Sequence, residues 1–132
     1  MGCWVLVFAV GDQTFGIASA ESNGWVELWN SGNQSPRSIL LVKIMGEAPD
    51  TTVDITADDA FAVCVVTAAF RGVFIHTAAP LELFLDGEPV PDEGSTGLPD
   101  ADSLTTTVDG CMRVILGGLD DDDATITMAS FD

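Results

Sequence analysis

Four consecutive aspartates, Asp120, Asp121, Asp122 and Asp123, are the densest group of ligand-type side chains in the chain. Oxygen-rich loops hold calcium when their ligands are spaced along the loop and a glycine allows a sharp turn. Here the carboxylates are adjacent, and neighbours in one connection do not all reach one ion. The run reads as a solvated turn, and no metal is assigned to it. Trp25, Glu27 and Trp29 alternate along one segment, which places them on one face of a strand. An exposed trio of this kind would stack a sugar ring. Tryptophan is mostly buried in folded proteins, so packing is the preferred reading. The absence of tyrosine also argues mildly against a recognition surface.

Nucleophilic catalysis needs a base that titrates near neutrality, and His76 is the only histidine. No serine or cysteine motif accompanies it, so it reads as an ordinary strand-edge or loop residue. No phosphate-binding loop, zinc spacing or dinucleotide fingerprint occurs. A glycosidase needs two carboxylates facing each other across a cleft, and a small strand-rich domain has no insertion to build one. Cys3, Cys64 and Cys111 are odd in number and lack redox or metal spacing. Each lies among apolar residues, which predicts three reduced, buried side chains. No catalytic residue, cofactor or metal is assigned, and an enzyme is not expected.

The elements that carry these residues are short apolar runs separated by turn clusters. No segment keeps a period of 3.6. Strands are predicted over residues 3–10, 14–18, 25–29, 37–45, 51–56, 60–70, 81–85, 104–108, 111–116 and 124–131, some of them marginal. Asn23-Gly24 is a turn signal ahead of the third. Residues 37–45 are nearly all apolar, which predicts a central strand covered on both sides. In residues 51–56, Val53 and Ile55 are expected to point inward. In residues 60–70, either Cys64 and Val66 or Val63 and Val65 are expected in the core. Residues 86–102 form a long acidic loop rich in proline and glycine. Eight or nine short strands at this spacing predict one all-β domain over residues 1–132, an antiparallel, jelly-roll-like β-sandwich.

The charge is lopsided: 21 acidic residues against four basic ones, a formal net charge of -17, while 47% of residues are hydrophobic. That hydrophobic content is enough to fold, so the carboxylates must coat a real core. Such a surface repels nucleic acid and anionic lipid, and neither is expected as a partner. The longest apolar run, residues 60–70, is too short to span a bilayer. The opening MGCWVLVFAVG has no basic region before its apolar stretch, so no cleaved secretion signal is expected, and Gly2 lacks the context for myristoylation.

The order VFAVGD, NGWVELWNSG, ILLVKIMGEAPDTTVDIT, AAFRGV and GGLDDDD resembles a β-sandwich domain of tailed bacteriophage proteins, marine ones above all. The resemblance spans most of residues 3–123. It implies a virion structural protein or a host-attachment domain. Relatives of that family run on beyond the positions of Cys3 and Asp123, which implies sheet edges completed by a neighbouring chain. Together with the missing catalytic groups and the negative surface, the resemblance implies a decoration (cement) protein on the outer capsid. Its partners would be the major capsid protein and copies of itself, as a homotrimer. The alternative is a tail, fibre or carbohydrate-binding attachment module.

Overall fold

The computed structural model describes residues 3–33, 36–57, 63–71 and 114–117. The elements run β1 (Cys3–Gly11), β2 (Phe15–Gly16), α1 (Ala18–Ser22), β3 (Val26–Asn30), β4 (Arg37–Met45), β5 (Thr56–Ala57) and β6 (Val63–Arg71). They form a four-stranded sheet in the order β3-β4-β1-β6 and a two-stranded sheet of β2 and β5. Every pairing is antiparallel. The described residues are mainly antiparallel strands with little helix.

β1 and β4 pair along their full length, from Cys3 opposite Met45 to Gly11 opposite Arg37. β1 also pairs with β6, from Cys3 opposite Arg71 to Gly11 opposite Val63. Residues opposite one another in an antiparallel pair project to the same side. One face of the sheet therefore carries Val7 and Ala9 of β1 with Ile39, Leu41 and Met45 of β4. These side chains join Phe15, Ala20 and Trp25 in the main core, with Ile17, Val53 and Ile55 packed against them. The core lies between the sheet and a cover made by residues 12–25 and 46–57. The opposite face carries Trp4 and Val10 of β1 and Val42 of β4, all buried as well. The expectation for residues 37–45 holds: β4 is an inner strand with buried side chains on both faces.

Several predicted elements take another form. Residues 14–18 contribute only the two-residue β2, and the chain then enters α1. After Ile17 no β-branched residue follows until Val26, and alanine favours a helical turn. Ala20 packs into the core with no exposed surface, and the turn ends at Gly24, whose φ of 84° confirms the Asn23-Gly24 signal. Residues 51–56 keep the expected alternation, with Val53 and Ile55 half-buried and the threonines and Asp54 exposed. Regular pairing is confined to Thr56–Ala57, opposite Phe15 and Gly16. Thr56 Oγ1 donates to the Gly16 carbonyl at 3.2 Å, and a Cβ at Gly16 would collide with that hydroxyl.

β6 corrects a more consequential expectation. Val63, Cys64, Val65 and Val66 are all exposed, so neither alternating pair lies in the core. Among the described residues, the main core draws side chains from β1 and β4 and none from β6. Cys64 is accordingly an exposed free thiol, and Cys3 a half-buried one. Within residues 111–116, the described part, 114–116, is not in regular strand, and Val114 and Ile115 are exposed. The strands predicted at 81–85, 104–108 and 124–131 lie outside the described residues, as do the loop 86–102, His76, Cys111 and Asp120 to Asp123.

Candidate interaction surface

The sheet has two outer strands among the described residues, and their chemistry differs. β3 pairs with β4 through Val26 opposite Val42 and Glu27 opposite Leu41, then slips at a bulge so that Trp29 meets Leu40 and Asn30 meets Ile39. Bulges twist a strand edge away from further pairing. Asn30 Nδ2 donates to Glu27 Oε2 at 3.0 Å, and Gly32 N–H donates to Asn30 Oδ1 at 2.9 Å, so the end of β3 is tied into its own turn. Ser38 N–H donates to Ser31 Oγ at 2.8 Å and closes the other side of that connection.

The bulge also dismantles the predicted aromatic platform. Trp25 precedes β3 and is 4% exposed, inside the main core. Trp29 lies beyond the slip, shares a face with Val26, and donates from Nε1 to Ser38 Oγ at 3.3 Å. Glu27 points to the other face. The packing reading of Trp25 stands, and the trio presents no common stacking surface. Strict alternation missed this because one extra residue in the strand reverses every later side chain.

β6 shows none of these protective devices. Its nine residues pair with β1 in unbroken register. Val65 is 51% exposed on the main-core face of the sheet and Val66 41% on the other. Beside the C-terminal half of β6 lies a groove of about 650 Å³, lined among others by Val5, Val7, Trp25, Met45, Thr67 and Ala69. Arg71, Glu47 and Asp50 also line it.

Lys43, the only lysine, holds the cover beside that groove. It projects from β4, and its Nζ donates both to the Asn23 carbonyl, at the C-terminal end of α1, and to Asp50 Oδ2. One cation thus ties the helical turn to the loop that follows β4. Charged donors make the stronger class of hydrogen bond.

The charges are partitioned by element. β1, β4 and β6 contain three of the four basic residues, Arg37, Lys43 and Arg71, and none of the 21 acidic ones. By register all three cations belong to the main-core face of the sheet. The longest stretch of chain without an acidic residue, residues 60–81, contains all of β6. Three apolar to weakly cationic strands thus belong to a strongly anionic protein.

Among the described residues, no group of three or more His, Cys, Asp or Glu side chains is placed to hold a metal ion. No described helix is long and apolar enough to cross a membrane. No protein-family model, curated protein or solved structure matches the chain.

Proposed function

We propose that the protein is a non-enzymatic virion component, a decoration protein on the outer surface of an icosahedral capsid. It contacts the major capsid protein and copies of itself, and its fold is a jelly-roll-like β-sandwich. The observation that carries this reading is the partition of charge. Acid-free, apolar strands supply surface for protein contact, while the carboxylates lie in the rest of the chain. With a net charge of -17, a position inside the shell would set the protein against DNA phosphates with no counterion release to favour it. A position outside meets no such opposition. There the protein reinforces junctions between capsomers by burying apolar surface, at about 25 cal/mol per Å² before the costs of association.

The sandwich is supported by burial on both faces of the four-stranded sheet, Ile39 and Leu41 on one side and Trp4 and Val42 on the other. A single sheet with one solvated face would leave the second set exposed. The attachment-module alternative would be favoured by an exposed aromatic platform and a calcium-holding loop, and the Asp120 to Asp123 run lies outside the described residues. With Trp25 in the core and Trp29 turned to the other face from Glu27, no described feature favours it.

The test is immunogold labelling or cryo-EM of purified particles carrying the protein. Label distributed over the head, with dissociation little affected by salt, is the expected result. Label confined to tail tips, or binding of the protein to host polysaccharide without head association, refutes the decoration reading.

A further inference from the structure

We propose that β6 is a self-association edge, along which a second copy of this chain adds its own β6 antiparallel across a two-fold axis centred on Thr67. The proposal builds on the self-contact in the reading above but not on the capsid. It needs only the purified protein.

Four observations converge on this edge. β6 is regular over nine residues and ends the order β3-β4-β1-β6, with no described strand on its outer side. In an antiparallel ladder every second amide of such a strand points away from its inner neighbour, and an uncovered row of donors and acceptors is a template for pairing. Its flanking side chains are exposed and apolar on both faces, Val63 and Val65 on one and Val66 on the other. The opposite edge, β3, is bulged and carries Glu27, so the two edges are not equivalent.

Charge identifies the occupant. Two copies each bearing -17 repel, and close approach is least opposed where neither presents a carboxylate. The acid-free stretch of residues 60–81 is the longest such segment, and β6 lies inside it. A basic partner would instead be drawn to the carboxylate-bearing segments.

The strand's own charge then sets the orientation. Arg71 is its only ionisable cation. Parallel pairing in register would bring Arg71 beside the Arg71 of the second copy. Antiparallel pairing about Thr67 sets each Arg71 opposite a valine, Val63, and separates the two guanidinium groups by the length of the strand, about 27 Å at roughly 3.4 Å per residue. Val65 then meets Ala69, which lines the groove, across the axis. The interface is isologous, so it builds a dimer rather than the three-fold ring that the family resemblance implies.

The centre of the axis supplies the test, because there Thr67 faces itself. Thr67 is exposed, so the monomer accommodates a charged residue there. Sedimentation velocity across a range of protein concentrations, at about 0.5 M salt to screen the net charge, should show the parent doubling in mass as concentration rises. Thr67→Asp and Thr67→Lys should each remain monomeric, since like charges would sit directly opposite. An equimolar mixture of the two should recover the doubled mass, a rescue that only self-pairing at this position produces. Hydrogen exchange on the parent provides a second readout. The outward amides of β6 should lose protection on dilution to monomer. A parent that stays monomeric, single variants that still dimerise, or a mixture that fails to recover the dimer overturns the proposal. So does concentration-independent protection of β6, which would show the chain's own residues occupying the edge. Any of these results leaves the capsid reading to be decided by particle labelling.

Discussion

Replacing Lys43 by methionine is the sharpest probe of what holds the cover onto the sheet. Methionine keeps the apolar stem that runs along β4 and removes the ammonium that binds the Asn23 carbonyl and Asp50. The Lys43 side chain is 18% exposed and that of Asp50 33%, so the pair is neither fully solvated nor fully buried. A hydrogen bond to a charged donor contributes about 1.5–3 kcal/mol when buried. An exposed ion pair contributes about 0–1 kcal/mol. Partial exposure puts the carbonyl bond at the low end of its range, and the variant should lose about 2 kcal/mol in all. A domain of this size shifts its midpoint by roughly 3–6 °C per kcal/mol, so K43M should melt about 6–12 °C lower. Asp50→Asn removes only the ion-pair half and should cost about 0.5–1 kcal/mol. The double variant should show a coupling energy of about 0.5–1 kcal/mol between the two sites, reduced in about 0.5 M salt. Thermal and urea unfolding of the four proteins measures all of this. A K43M midpoint within a degree or two of the parent, together with zero coupling, would show that the cover is held by its apolar contacts alone.

Three further outcomes follow from burial. Leu41→Asp should abolish folding, because Leu41 has no exposed surface and an unpaired buried charge is costly; Val65→Asp and Val66→Asp should retain the circular dichroism and cooperative unfolding of the parent. Equal loss of folding in all three would place β6 in the core after all. Trp25 Nε1 is buried without a hydrogen-bond partner among the described residues. Trp25→Phe, which deletes an unsatisfied donor worth about 1–3 kcal/mol while giving up some ring area, should unfold within about 1 kcal/mol of the parent. Trp25→Ala should cost about 3–5 kcal/mol, and a phenylalanine variant as damaged as the alanine one would show that the indole nitrogen is satisfied. In the folded protein a maleimide should modify Cys64 well before Cys3, since the first is exposed and the second half-buried. Peptide mapping that finds Cys3 labelled first would contradict the exposure of β6.

Much of the sheet was legible in the residues themselves. Residues 37–45 are apolar apart from Arg37, Ser38 and Lys43, and a strand covered on both faces buries such a run efficiently. They became β4, with Leu41 and Val42 buried on opposite faces. The Asn23-Gly24 turn was legible because glycine readily takes the positive φ found at Gly24. The short helix α1 was not, since five residues are too few to establish a helical period. Nor was the bulge in β3, which depends on how the strand sits against β4 and carries no compositional mark. Its consequence for function is large, because it removes the only predicted aromatic platform.

What the sequence determined by itself was the alphabet of the fold: strand-forming runs, turns, a net charge of -17, and acidic residues excluded from the three long strands. Those properties are local or additive, and they survive without knowledge of which strands meet. Only tertiary structure decided which apolar runs are buried. Val63, Val65 and Val66 of β6 are as hydrophobic as Ile39, Leu41 and Val42 of β4, yet the first three are exposed and the last three sealed. Alternation assigns side chains to faces, but a face is buried only if another layer reaches over it. Among the described residues, the segments that form the cover, pinned by Lys43 to Asn23 and Asp50, join a core that takes in side chains of β1 and β4 and none of β6.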